Sequence, residues 1–230
     1  MRCTFGKRRP SMDANTALQD RFLTQFFTSA VADGFYLTGG TALARFYFHH
    51  RESIDLDLFT NQPDVDFDAV NRAVLGILQT LDLRIQSQVT TAAFLQYIVD
   101  DQNGVTLKVD MVRDVPVHFG DTLEINGVRL DSLENIGANK VLAIFGRTDA
   151  KDFIDLYWIL QRTSLAFGDL YALAKGKDLG LSELYLAYAL HSAARIKLFP
   201  RMLEPLPWDQ IVAFFEALAR DLLLRAAPDK

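Results

Sequence analysis

The stretch GGTALARFYFHHRESIDLDLF, residues 39–59, decides how this chain is read. It opens on two glycines and a threonine and passes through a short apolar run to His49, His50 and Arg51. It closes with Ser53, Asp55 and Asp57 on alternate positions of an otherwise apolar segment. Side chains of a β-strand alternate between its faces. Ser53, Asp55 and Asp57 therefore point one way, and Ile54, Leu56 and Leu58 the other, towards a core. Two carboxylates on one face of a half-buried strand repel each other unless a cation lies between them.

A third carboxylate follows the same pattern. In VTLKVDMV, residues 105–112, Val105, Leu107, Val109 and Met111 share one face, and Lys108 and Asp110 the other. Asp55, Asp57 and Asp110 on neighbouring strands would form an all-oxygen site suited to Mg²⁺, with two ions expected. Such sites serve phosphoryl-type chemistry on a triphosphate. Gly39 and Gly40 stand where a strand gives way to a helix. There the missing Cβ atoms and the positive helix N-terminus admit an anion, and Thr41 offers a hydroxyl. This is neither a Walker A loop nor GxGxxG. Taken singly, each piece has a plainer reading: a turn, edge decoration, a cross-strand pair. Their order and spacing together favour a site.

Outward from this centre the chain divides in two. TALQDRFLTQFFTSAVADG reads as a helix with Leu18, Phe22, Phe26 and Val31 at helical spacing, Asn15 as its cap and Gly34 as its stop. FYLT and IDLDLF read as strands, TALARFYF as a helix starting at the glycines, and the segment around VNRAVLGILQTL as another. LRIQSQVT, FLQYIVD and VTLKVDMV read as strands, the last two joined by a DQNG turn. TLEINGVRL reads as a hairpin turning at Asn126-Gly127. From Asp131 onward all five segments read as helices. The expected fold class is α+β: a lobe over residues 14–130 with a small mixed sheet flanked by helices, and a helical lobe over residues 131–227. Residues 1–13 read as a disordered arm.

The second lobe offers a cationic stripe. On one continuous helix, Lys140, Ile144, Arg147, Lys151 and Asp155 would lie near one line, and Gly146 marks where that helix could break into two. Three cations there would suit a triphosphate, with Asp152 and Asp155 orienting them. The plainer alternative is a solvated face with ion pairs. His50 and Arg51 would either touch phosphate or brace the loop before the acidic strand. Arg195, Lys197 and Arg201 read as a solvated helix end.

Composition narrows the classes. Of 230 residues, half are hydrophobic, enough for a sizeable core, and the net charge of −5 argues against non-specific coating of nucleic acid. The lone Cys3 excludes an internal disulfide and a cysteine-based zinc site, and fits the cytoplasm. No apolar run reaches the roughly 18 residues of a membrane span, and the basic N-terminus has no apolar segment of a secretory signal behind it. The sequence speaks against a haloacid-dehalogenase-type aspartyl phosphatase, because Phe59 stands at that motif's Thr/Val position and HHRES replaces its apolar strand.

GGTALARFYFHHRESIDLDLF resembles the first motif of the AbiEii/AbiGii toxin family, a branch of the DNA polymerase β-like nucleotidyltransferases. That motif runs GGTAL, a short helix, then HR-x-S-x-DLDLF. NKVLAIFGRTDAKDFIDLYWIL resembles the family's later motif, a lysine-bearing helix followed by an arginine and KD-x-x-D-L, and LKVDMV its third-acid strand. The likeness spans about residues 35–160. It implies a two-lobed enzyme that transfers a nucleotidyl group from an NTP with Mg²⁺ and releases pyrophosphate. It implies the toxin of a bacterial toxin–antitoxin pair, with tRNA as an acceptor and a cognate antitoxin acting without tight binding. On this reading Asp55, Asp57 and Asp110 are catalytic and hold metal. Gly39, Gly40, Thr41 and Ser53 meet the triphosphate, and Lys140, Arg147 and Lys151, with Asp152, complete its site. Transfer to a protein or small molecule, or a nucleotide-binding relic, are the competing readings; the presence of all three acids speaks against the relic.

Overall fold

The structure, a computed structural model, describes residues 12–226. Of the arm expected over residues 1–13, residues 1–11 lie outside the described residues, and Met12 and Asp13 already belong to the first helix. That helix, α1 (Met12–Phe27), buries Leu18, Phe22, Leu23 and Phe26 and sets Phe26 edge-on against Phe35 at 5.6 Å. Asn15, expected as its cap, lies inside it, because helical backbone runs in from upstream. A 3-10 turn (Ala30–Ala32) and Gly34 (φ +78°) lead into β1 (Phe35–Thr38).

At Gly39 the backbone takes φ +66° and starts helix α2, Gly39–Thr41, which continues in a wider π form over Ala42–Tyr47. After β2 (Asp55–Thr60), Asp66 caps α3 (Phe67–Thr80) by accepting hydrogen bonds from the backbone N–H of Asp68 and Ala69. β3 (Arg84–Thr90), β4 (Phe94–Asp100) and β5 (Thr106–Arg113) follow. Asp101 stabilises the turn between the last two by accepting from the N–H of Asn103 and Val105. β6 (Leu123–Ile125) and β7 (Val128–Leu130) form the expected hairpin, with Asn126 (φ +52°) and Gly127 (φ +74°) both left-handed, as a tight two-residue turn requires.

The seven strands among the described residues form one mixed sheet in the order β3-β4-β5-β2-β1-β7-β6. β2 runs parallel to β5 and β1 parallel to β7; the other neighbours are antiparallel. One face is apolar: Leu56, Leu58, Leu95, Tyr97, Val99, Leu107, Val109 and Met111 are essentially inaccessible beneath α1 and α3. The other face carries the acids. Among the described residues, every later element longer than one turn is helical: α4 (Leu133–Gly146), α5 (Ala150–Arg162), α6 (Phe167–Lys177), α7 (Glu183–His191) and α8 (Trp208–Ala226). Asp131 is the buried joint between sheet and helices. It accepts hydrogen bonds from Thr38, Asn135 and His118, while Ser132 caps α4. Residues 201–203 return to pair with the loop at His50–Glu52.

Candidate active site

The register of β2 on β5 sets Asp57 beside Asp110 and Asp55 beside Lys108, all on the face away from the core. Neighbouring strands lie about 4.8 Å apart, so three carboxylates crowd a small area. They are not equivalent. Gln96 Nε2 donates to one Asp110 oxygen at 2.9 Å and Lys108 Nζ to the other at 2.6 Å. Among the described residues, no donor reaches the side-chain oxygens of Asp55 or Asp57. Burial, then the charge of Asp110, pushes the Asp57 carboxyl up to about 6; Asp55 adds to the rise, and Lys140 and Lys108 work against it. Burial also opposes the Lys108 ammonium. Its hydrogen bond to Asp110 and the charges of Asp110, Asp55 and Asp57 outweigh that and hold it above its ordinary value.

The raised Asp57 carboxyl has a consequence for stability. A folded-state value above the unfolded 3.8 means that the native state binds the proton more tightly. Stability is then fully present below about pH 4 and lost as pH rises through about 6. In a chelating buffer the parent chain should lose about 2 kcal/mol over that window from this group alone. Asp57→Asn should flatten that part of the profile, as urea unfolding at a series of pH values would show; parallel profiles would contradict the assignment.

The glycine turn closes over Asp57. A Cβ at Gly39 would stand 2.8 Å from Asp57 Oδ2, and one at Gly40 would collide with the Arg51 guanidinium. Thr41 is buried; its hydroxyl donates to the carbonyl of Asp55 and lies 2.8 Å from Ser53 Oγ, fastening α2 to the start of β2. Gly39→Ala combines a left-handed φ with contact on a carboxylate. It should destabilise the chain by about 1–3 kcal/mol and displace Asp57. Melting curves check the first effect; an unchanged midpoint would show that the turn yields easily.

Beside these groups opens a cleft of about 540 Å³. Thr38, Gly39, Gly40, Asp57 and Phe59 form one wall; Asn139, Lys140, Ala143, Arg147 and Asp152 are among the residues of the other. The cationic stripe has a different form from the single helix. The chain breaks after Gly146, Ile144 is buried, and α5 starts afresh with Asp149 as its cap. Lys140 is buried between Asp152 (2.9 Å) and Asp155 (2.7 Å), and Arg147 binds Asp152 at 2.7 Å from a largely exposed position. Lys151 is exposed on the first turn of α5 and does not line the cleft.

His50 and Arg51 brace the loop. Arg51 grips Asp155 with Nε and Nη2, both at 2.7 Å, and His50 Nε2 lies 2.9 Å from the same carboxylate. Burial works against an ionised Asp155, but Arg51 and Lys140 hold its carboxyl well below the usual range. Asp152 is lowered in the same way, mainly by Lys140. Burial lowers the His50 imidazole, so the neutral ring donates through Nε2 to the carboxylate. Sequence patterns did not single out Asn139, which lines the cleft, or Gln96, which holds Asp110. The first adjoins Lys140 and the second is set by cross-strand register, and neither carries a local signal.

A mixed sheet with acids on one face, a glycine turn and an all-helical second half is the fold of nucleotidyltransferases. JHP933 of Helicobacter pylori superposes with a TM-score of 0.60 at 18% identity, over 95% of this chain and 94% of that one. MenT4, a nucleotidyltransferase toxin of Mycobacterium tuberculosis, does so at 0.56 with 15% identity, over 95% and 88%. An uncharacterised protein of Aquifex aeolicus is 23% identical over 214 residues, 89% of this chain and 96% of its own length. The model of the nucleotidyl transferase AbiEii toxin family, of type IV toxin–antitoxin systems, matches residues 21–227. The chain belongs to that family, and it is a nucleotidyltransferase.

Proposed function

We propose that the chain transfers a nucleoside monophosphate from an NTP to an acceptor hydroxyl in a Mg²⁺-dependent reaction. We further propose that it is the toxin of a toxin–antitoxin pair, acting in the cytoplasm on tRNA. The family description, a nucleotidyl transferase toxin, supports the role. One observation carries the chemistry: Asp57 stands at the cleft wall under the Gly39–Gly40 turn, in register with Asp110 and on the same face as Asp55.

The donor set fits a hard cation. Asp57 is crowded by Asp110 and Asp55, and the glycine cradle leaves its Oδ2 open where a Cβ would intrude. Among the described residues, no three acidic, histidine or cysteine side chains converge as a ready-made ligand set, and the Asp110 carboxylate is hydrogen-bonded to Lys108 and Gln96. Asp55 and Asp57, joined by Asp110, would hold Mg²⁺, which when bound neutralises the triphosphate and acidifies the acceptor hydroxyl.

The rest of the work falls to the chain. The N–H groups at Gly39 and Gly40 face the phosphates, with Thr41 and Ser53 holding the turn in place. Lys140 and Arg147, oriented by Asp152, offset phosphate charge from the opposite wall, and Lys151 adds charge at the start of α5. The acceptor oxygen bonds to the α-phosphorus as the bond to the bridging oxygen breaks. Pyrophosphate leaves, and the hydroxyl proton passes to Asp110, each of whose oxygens keeps a second lone pair beside its bond from Gln96 or Lys108.

Incubating the protein with Mg²⁺, each α-labelled NTP in turn, and total bacterial tRNA or lysate tests this. Label in tRNA supports the full reading and identifies the base. Label in protein or a small molecule keeps the reaction and replaces the acceptor. No label, together with no NTP binding, would overturn the proposal. Co-expression with a neighbouring gene product that restores growth without co-purifying would identify the antitoxin.

A further inference from the structure

The three acids divide into one that the protein has already satisfied and two that it has left open. Both oxygens of Asp110 are taken, Oδ1 by Gln96 Nε2 at 2.9 Å and Oδ2 by Lys108 Nζ at 2.6 Å. Lys108 is two residues before Asp110 on the same face of β5, and its Cα partner across the parallel pair is Asp55. Its ammonium thus lies within the acidic cluster, with its side chain about two-thirds shielded. No donor among the described residues reaches the side-chain oxygens of Asp55 or Asp57. With Lys108 counted, the cluster retains two uncompensated negative charges, which a single divalent ion matches.

We propose that Lys108 is a built-in cation of this site, standing beside Asp110 where a second divalent ion would bind, so that the cluster holds one tight divalent ion on Asp55 and Asp57. This rests on reading the carboxylates as a metal site. Lys108 is on this account a positioning residue: it fixes the Asp110 carboxylate and sets the number of ions. A second ion could enter only by displacing an ammonium held at hydrogen-bond distance, and would meet that positive charge as it approached. Lysine suits the place because its compact charge sits on a flexible stem that can reach back along its own strand.

The test is direct binding of Mn²⁺ to the nucleotide-free protein, followed by the paramagnetic signal of the free ion, with circular dichroism to verify folding. The parent should bind one Mn²⁺ tightly. Lys108→Met, which keeps most of the unbranched stem and removes the charge, should bind the first ion roughly tenfold more tightly or take up a second. Lys108→Arg should restore the parent's stoichiometry, and Lys197→Met, distant in sequence and exposed, should not differ from the parent. Two equally tight ions in the parent, or a Lys108→Met chain with the parent's stoichiometry and affinity, would overturn the proposal and leave the metal site standing. Absence of Mn²⁺ binding from parent and variants alike would overturn both.

Discussion

Asp57→Ala should lower nucleotidyl transfer on the order of 10³-fold while the chain stays folded. The two halves of that expectation have one cause. Asp57 is crowded by Asp110 and Asp55, lies against the glycine turn and receives no hydrogen bond among the described residues. A carboxylate that the protein pushes up to about 6 is poorly served by its own fold and contributes nothing to stability at neutral pH. Removing it relieves repulsion, so in a chelating buffer the melting temperature should hold or rise. Label transfer from α-labelled NTP and a thermal melt on the same preparation are the two readouts. A variant that keeps its activity would sink the metal-site model. One that loses activity because it has unfolded would show that Asp57 is structural after all.

The local features of this fold were legible because local rules produce them. The alternation of Leu56 and Leu58 with Asp55 and Asp57 recurs in the structure as buried and open faces of β2. Asn126-Gly127 turns a hairpin because both residues adopt positive φ readily. What connects distant segments was not legible. Nothing local in DLDLF or LKVDMV says that these strands lie side by side in parallel, which is what sets Asp57 beside Asp110. The Lys140–Arg147 segment could be read as cations oriented by Asp152 and Asp155, but periodicity along one helix cannot show which acid meets which cation. Asp152 and Asp155 meet them only because the chain turns after Gly146 and α5 packs against α4. Nor does any pattern announce the π form of Ala42–Tyr47, in which the N–H of Phe48 reaches back to the carbonyl of Leu43.

Asp155→Ala should do the opposite of Asp57→Ala: it should cost about 3–5 kcal/mol of folding stability. Asp155 is fully buried, accepts two hydrogen bonds from Arg51 and one from His50, and pairs with the Lys140 ammonium at 2.7 Å. Without it Lys140 retains Asp152, but Arg51, almost fully buried, keeps among the described residues only the carbonyl of Glu52. An unpaired guanidinium inside the protein is expensive, and a total stability of about 5–15 kcal/mol leaves little margin. The damage would spread to the site, since the Arg51 guanidinium lies where a side chain on Gly40 would be, and so supports the glycine turn from behind. Activity should therefore fall with stability rather than independently of it. Urea unfolding with transfer measured on the folded fraction separates the two; a parent-like midpoint with no transfer would move Asp155 into the chemistry. The double variant Arg51→Met with Asp155→Leu offers the sharper comparison. It removes both partners of the buried pair together and leaves no stranded guanidinium. It should be less destabilised than Asp155→Ala alone, because the larger part of the single variant's cost is the charge left behind.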